Sequence, residues 1–242
     1  MDSVTGALGM RLLEPGDSAV MLGTVARVGI LGRAQKPDQH VVGCPYPPGN
    51  LWWSMDALWG AGAWLQWVVD TFYGGDWDAV RLADRPEEMN SLVVVCPSGR
   101  RSGAILGLRT GQTLADVGSA GVVGVLAELA DDLDRMAGTV GQPTTRIAVC
   151  GRGGRLVAPA LANLLGANVE VPVDPETETR GGAVLAACAA KLAPDLPTAV
   201  DLMVPTRETC RPEADWAEYR AVFRNRRRAC EPALSATVAE RS

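Results

Sequence analysis

The sequence predicts one α/β domain with a mixed β-sheet flanked by helices. Two apolar segments near its start, DSAVMLG and VARVGILG, are separated by Gly23 and Thr24 at the spacing of a β-hairpin. In the second half, strand-like and helix-like segments alternate, a pattern typical of parallel pairing. Since the early segments favour antiparallel pairing and the later ones parallel pairing, the sheet is expected to be mixed. With 242 residues and 47% hydrophobic content, the chain can bury a substantial core.

The first third is predicted to form a three-stranded antiparallel meander. Its third strand, HVVGCP, follows the turn-like residues KPDQ after the hairpin. The next segment, SMDALWGAGAWLQWVVDTFY, places Trp64, Trp67, Val68 and Thr71 at helical spacing. This spacing predicts an amphipathic helix whose tryptophans belong to the core and not to a surface that stacks on bases.

The second half is predicted to consist of alternating strands and helices. NSLVVVCP has the composition of a buried strand, and Thr113 with Asp116 has the spacing of a capping box that begins a helix ending near Gly138. The buried stripe of this helix is predicted at Leu126, Leu129, Leu133 and Met136. The later elements are predicted as strand TRIAVC, helix RLVAPALANLLG, strand VEVPV and helix TRGGAVLAACAAKL. Residues 1–211 are expected to form the domain, and residues 212–242 a charged, helical tail around DWAEYRAVFRNRRRA that packs on it or extends from it.

Charge and composition argue against several classes of partner. The net charge of −5 gives no electrostatic reason to expect binding to nucleic acid or to an anionic membrane. No apolar run approaches the roughly 18 residues of a membrane span, and the first residues lack the basic-then-apolar order of a signal peptide. We therefore predict a cytoplasmic protein. Six scattered cysteines without a C-x-x-C pair and one histidine, His40, argue against a disulfide framework or a zinc site.

Two glycine-containing turns are candidates for binding an anionic ligand. One is Gly23 with Thr24, where the first predicted strand ends and a hydroxyl donor follows. The other is the segment CGRGG, which joins a predicted strand to a helix through Gly151, Gly153 and Gly154. The second segment lacks the spacing of a dinucleotide fingerprint. From the residues alone, both nucleotide binding and an ordinary tight turn remain open.

Four segments in order resemble the C-terminal domain of the FGGY carbohydrate kinases, the group similar to xylulose kinase. They are ALGMRLLEPGDSAVMLGT, NLWWSMDALWGAGAWLQWVVD, PSGRRSGAILGLRTGQTLADVGSAGVVGVLAELADDLDRM and CGRGGRLVAPALANLLGANVEVPVDPETETRGGAVLAACAA. The resemblance covers most of the chain. It implies an actin-like ATPase fold of the ribonuclease H-like type, as a single lobe. In these kinases two lobes close around a cleft, and the N-terminal lobe, which this chain is expected to lack, supplies most of the sugar site.

The resemblance also implies a role for particular residues. Gly23 and Thr24 match the family's second phosphate loop, and the stretch Gly151, Arg152, Gly153 and Gly154 matches its adenosine loop. Asp2 occupies the place of the general base that accepts the proton of the sugar hydroxyl. The implied cofactors are ATP and the Mg²⁺ carried by it, without a metal site made by the protein, and the implied partner is a separate N-terminal lobe or a second copy of the chain.

Departures from the family pattern keep two functions open. Val25 and Ala26 replace the usual Ser-Gly after Gly-Thr, and Arg152 interrupts the usual run of glycines. The first hypothesis is the ATP-binding lobe of a kinase that transfers the γ-phosphate to a sugar hydroxyl and is incomplete without an N-terminal lobe. The second is a non-catalytic remnant of that domain which serves as a binding module.

Overall fold

The fold is built on a seven-stranded mixed sheet with helices on both faces. The computed structural model describes residues 2–35, 38, 40–47, 49–80, 82, 92–98, 101–151 and 153–239. The described strands are β1 (Asp17–Leu22), β2 (Ala26–Gly32), β3 (Val42–Tyr46), β4 (Leu51–Leu58), β5 (Val93–Val95), β6 (Ala104–Leu106), β7 (Arg146–Gly151), β8 (Val169–Pro172) and β9 (Arg207–Cys210). The described helices are α1 (Asp2–Gly9), α2 (Ala61–Tyr73), a 3₁₀ helix (Trp77–Ala79), α3 (Leu114–Val140), α4 (Gly154–Leu165), α5 (Thr177–Ala189), α6 (Leu196–Met203) and α7 (Ala217–Ala239).

The main sheet has the strand order β3-β4-β2-β1-β7-β8-β9, and β5 and β6 form a separate hairpin. β1 pairs antiparallel with β2 and parallel with β7, and β7 pairs parallel with β8. This arrangement confirms the predicted mixed sheet. All six residues of β1 are buried, because this central strand has helices packed on both of its faces.

Alternating side chains along β7 divide the interior into two hydrophobic layers. Ile147 and Val149 belong to one layer with residues of α2, α3 and α4, whereas Ala148 and Cys150 belong to the other with residues of α1, α5 and α6. This alternation follows from the two-residue period of a strand. Tyr219 and Phe223 of α7, and Trp216 directly before it, reach the first layer and are fully buried. The boundary at residue 211 remains a prediction.

Two predictions for the first third are wrong in detail. Residues 54–58 were expected to contribute to a helix, but they belong to β4, which lies between β2 and β3 and replaces the predicted direct pairing of those strands. The helix begins only at Ala61, after Gly60, whose φ of 84° breaks the strand. Trp67 is 46% exposed, because the buried face of α2 carries Leu65, Val68 and Val69 instead.

The long helix α3 confirms the predicted capping box and buried stripe. Thr113 Oγ1 accepts a hydrogen bond from Asp116 N at 3.2 Å, and Thr113 N donates to Asp116 Oδ2 at 2.6 Å. The four predicted stripe residues are all buried, and the helix ends at Val140, two residues beyond the predicted end near Gly138, with Gly141 as its C-cap. Helix α1, in contrast, was not predicted. It is only eight residues long, and its sequence has no clear stripe of apolar residues at helical spacing.

Helices α1 and α5 pack closely enough for their backbones to touch through glycines. A β-carbon added to Gly181 would lie 1.8 Å from the carbonyl oxygen of Thr5, and one added to Gly9 would lie 1.9 Å from the carbonyl oxygen of Thr177. In both cases the contacted atom is a backbone carbonyl oxygen and not part of a movable side chain. The two glycines therefore set the distance between α1, which carries Asp2, and the rest of the fold.

We expect Gly181→Ala to lower the free energy of unfolding by about 1–3 kcal/mol, because the added methyl group must push the two helices apart. The matched control is Gly182→Ala in the same helix, where an added β-carbon meets nothing within 4 Å. This control should be neutral or stabilising by up to about 1 kcal/mol, the difference in helix propensity. Urea denaturation measures both variants, and equal stabilities would contradict the packing argument.

Candidate nucleotide site

The predicted phosphate and adenosine loops lie at one edge of the sheet. β1 and β7 are parallel neighbours in a register that pairs Leu22 with Gly151, so both strands end at the same level. Gly23 and Thr24 follow the first strand, and Gly153 and Gly154 follow the second. Ligands of open α/β sheets bind outside the carboxyl ends of such strands.

The turn between β1 and β2 is short and lies against the start of α2. It consists of residues 23–25, with Gly23 and Thr24 exposed and with Ala26 already buried in β2. A β-carbon on Gly62 would lie 1.9 Å from the carbonyl oxygen of Gly23. Gly62 therefore allows the first turn of α2 to contact this loop, a role that the sequence analysis missed although the run GAGA was a visible signal.

Glycine is required at two positions of the second loop. Gly151 has a φ of 98°, and a β-carbon there would lie 2.0 Å from the carbonyl oxygen of Leu22 in the neighbouring strand. Gly153 has a φ of 79° and is the N-cap of α4, and Gly154 is the first residue of that helix. Arg152, the remaining residue predicted here, lies outside the described residues. The loop thus places the amino end of a 12-residue helix at the sheet edge, and the first N–H groups of that helix have no partner within the helix.

A cavity of about 440 Å³ lies beside the β1–β2 turn, the first of the two loops. Its described lining residues are Leu22, Gly23, Thr24, Gly62, Ala63, Leu65, Gln66 and Trp77. The indole of Trp77 reaches the second loop, since its Cζ3 atom lies 3.0 Å from the ideal β-carbon position of Gly153. These described lining residues carry no charge, so an anion here would be bound by backbone N–H groups and by the Thr24 hydroxyl.

A smaller cavity of about 240 Å³ lies at the second loop, beyond the ends of β7 and β8. Gly151, Gly154 and Arg155 line one wall, and Pro172 and Val173 line the other. Gly151 and Gly154 of the glycine loop thus line the smaller cavity, whereas Gly23 and Thr24 line the larger one, whose wall residue Trp77 contacts Gly153.

Asp2 lies at the amino end of α1, toward the same edge of the sheet. Its Oδ1 accepts a hydrogen bond from Ser3 N at 2.8 Å, and its Oδ2 lies 3.6 Å from Nη1 of Arg27. Arg27 is paired in the sheet with Met21, two residues before Gly23. The Asp2 side chain is 66% exposed, so it is open to a substrate hydroxyl but is also engaged by a neighbouring guanidinium.

Cys150, which precedes the glycine loop, is not a reactive nucleophile. Burial raises the pKa of its thiol to about 12, and a hydrogen bond with Thr177 opposes this increase. A thiol with this pKa is protonated at neutral pH. Among the described residues, no group of three or more His, Cys, Asp or Glu side chains is placed to hold a metal ion. No described helix is both long and apolar enough to cross a membrane.

The strand order and the helices on both faces define a class of fold, the actin-like ATPase fold that the sugar kinases share. Within that class, residues 88–190 match the family described as the FGGY family of carbohydrate kinases, C-terminal domain. This match confirms the resemblance found in the sequence. A search of curated proteins gave no match.

Solved structures of sugar kinases have the same fold over nearly the whole chain. The xylulose kinase from Rhodospirillum rubrum superposes with a TM-score of 0.81 at 19% identity, covering 96% of this chain and 51% of that one. The gluconate kinase from Lactobacillus acidophilus gives 0.80 at 16% identity, covering 98% and 51%. The glycerol kinase from Plasmodium falciparum, solved with ADP, gives 0.76 at 14% identity, covering 96% and 50%. The chain thus spans about half the length of the kinases that it resembles.

Proposed function

We propose that this chain is the ATP-binding lobe of a carbohydrate kinase that transfers the γ-phosphate of ATP to a sugar hydroxyl. One observation carries the proposal: the β1–β2 turn, which the family pattern assigns to phosphate, lines a cavity of about 440 Å³, and the glycine loop assigned to adenosine contacts Trp77 in the wall of that cavity. The parallel pairing of β1 with β7 brings these segments, almost 130 positions apart in the sequence, to one sheet edge, which a pair of unrelated tight turns would not require.

In this proposal the phosphates lie between Gly23 with Thr24 and the amino end of α4. The positive end of the helix dipole and the unpaired N–H groups favour anionic oxygens at that position. Mg²⁺ arrives with the nucleotide and neutralises charge on its phosphates. Phosphoryl transfer depends mainly on positioning and charge stabilisation, so the chain needs only one further group, the Asp2 carboxylate, to accept the proton of the attacking hydroxyl.

The sugar is expected to be bound mainly by a second lobe. The sugar kinases of the same fold are about twice as long as this chain, and in the FGGY pattern the N-terminal half carries most sugar contacts. We infer that this chain alone binds nucleotide but does not phosphorylate a sugar, since near-attack geometry needs both reactants to be held. The N-terminal lobe is either joined to this chain or made as a separate polypeptide.

Gly153→Ala tests the nucleotide site. We expect it to weaken ATP binding about tenfold, equivalent to about 1.4 kcal/mol, because the new methyl group displaces the Trp77 ring and distorts the start of α4. The matched control is Gly166→Ala at the other end of the same helix, where φ is 60° and an added β-carbon meets nothing within 4 Å. Both variants bear a similar backbone cost, but only Gly153 is at the cavity.

Isothermal titration with ATP and Mg²⁺ compares the two variants with the original chain. Equal affinities for all three proteins would remove the glycine loop from the binding site. If the original chain binds no ATP at millimolar concentration, the proposed function itself is refuted.

One observation favours the alternative of a non-catalytic binding module. The β1–β2 turn has only three residues, because Ala26 is fully buried as the first residue of β2. A turn of this length offers fewer N–H groups to a phosphate than a longer glycine-containing loop. ATP binding without phosphoryl transfer, even with an N-terminal lobe present, would support this alternative.

A further inference from the structure

Trp77 is held in place by a short, well-bonded turn. It begins the 3₁₀ helix Trp77–Ala79, in which the side chain of Asp76 accepts a hydrogen bond from Asp78 N at 2.9 Å. The carbonyl oxygen of Trp77 accepts a hydrogen bond from Val80 N, and Val80 is buried in the core. The backbone that carries the indole is therefore anchored on both sides.

The indole of Trp77 is partly exposed and forms part of the wall of the 440 Å³ cavity. One edge of the ring rests on Gly153, where any larger residue would collide with it. The stacked pair of Trp64 and Trp67, with centroids 4.7 Å apart, lies on α2, and none of the ring pairs in the described part of the chain includes Trp77. Its ring faces are thus not used for packing against another aromatic side chain.

The described lining of the cavity combines polar and apolar groups. Gly23, Thr24 and Gln66 contribute backbone groups, a hydroxyl and an amide, whereas Leu22, Ala63, Leu65 and Trp77 contribute apolar surface. A nucleotide combines the same two kinds of group, its phosphates and an aromatic base. Among the described lining residues Trp77 is the aromatic one, so a base bound in the cavity is matched to Trp77.

We propose that Trp77 binds the purine base of the nucleotide by stacking its indole on the base. This inference rests on the proposed nucleotide-binding function and adds the residue that recognises the base. Stacking is tolerant of base identity, because every base has a π-face. The chain is therefore expected to bind ATP and GTP with affinities that differ by less than about fivefold, a much smaller effect than loss of the stack.

Two ligands distinguish the contribution of the base to binding from that of the phosphates. ATP contains both, and inorganic tripolyphosphate contains only the phosphate chain; each is titrated calorimetrically in the presence of Mg²⁺. Trp77→Ala is expected to weaken ATP binding by about tenfold or more and to leave tripolyphosphate binding unchanged. Trp77→Phe, which keeps an aromatic face, should stay within about threefold of the original affinity for ATP. The matched control is Trp67→Ala on the outer side of α2, 46% exposed and not among the lining residues.

The outcomes distinguish this inference from the proposed function. Unchanged or tighter ATP binding by Trp77→Ala overturns the stacking role, and tighter binding would mean that the indole fills the space of the base. An original chain that binds neither ATP nor tripolyphosphate overturns both proposals. If the alanine variant melts at a lower temperature, Trp77→Leu keeps apolar volume without an aromatic face, and retention of full ATP affinity by that variant again overturns the stacking role.

Discussion

Asp2→Asn is expected to slow sugar phosphorylation by at least about a hundredfold when this chain is combined with an N-terminal lobe of the FGGY type. General-base catalysis contributes about 10²–10⁴ in rate, and an amide in place of the carboxylate cannot accept the proton of the sugar hydroxyl. The measurement is sugar-dependent ADP formation in a coupled assay, with the affinity for ATP measured in parallel.

The matched control for this variant is Asp201→Asn in α6. Asp201 is also an exposed aspartate paired with an arginine, Arg11, and the exposed fractions of the two aspartates are similar, 69% and 66%. Exposed pairs of this kind contribute about 0–1 kcal/mol to stability, so neither variant should unfold the protein. Full activity of Asp2→Asn with unchanged ATP affinity would show that another group accepts the proton.

Glu128→Leu is expected to lower the free energy of unfolding by about 3–5 kcal/mol, because it leaves the Arg101 side chain, which is only 10% exposed, without its carboxylate. Glu128 lies within α3 and is 1% exposed. Nη2 of Arg101 donates to both of its carboxylate oxygens at 2.8 Å, and the Arg227 side chain of α7 approaches it to 4.0 Å. Burial raises the pKa of Glu128, and the two arginines lower it.

The double variant Arg101→Met/Glu128→Leu distinguishes the contribution of the ion pair to stability from that of side-chain packing. Replacing both charges by apolar groups removes the unpaired buried charge, so the double variant should be more stable than Glu128→Leu alone. Urea denaturation of both single variants and the double variant measures the coupling. Additive losses would mean that the two side chains do not stabilise one another, and that α7 is held mainly by its buried aromatic residues.

Local sequence patterns determined the elements whose partners are near in the chain. The hairpin of β1 and β2 and the capping box of Thr113 and Asp116 depend on contacts between residues a few positions apart, so both were predicted correctly. Residues 54–58 of strand β4 were mistaken for helix because the partners of this strand, β2 and β3, are separate segments and their pairing leaves no local periodic pattern. Helix α1 was missed for the same reason, since its Gly9 is explained only by the close contact with the backbone of α5.

The sequence by itself determined which residues are candidates for phosphate and base contacts, because glycines at strand ends and the order of four segments are visible without coordinates. Only the tertiary structure decided that the β1–β2 turn lines a cavity whose wall residue Trp77 contacts the glycine loop, and that Asp2 is engaged by Arg27. It also decided that Trp77, which has no distinguishing local pattern, forms a wall of that cavity. These features arise from the parallel pairing of β1 with β7, which brings segments almost 130 residues apart to one sheet edge. Such a long-range juxtaposition is fixed by how the whole core packs and leaves no periodic signal in the chain.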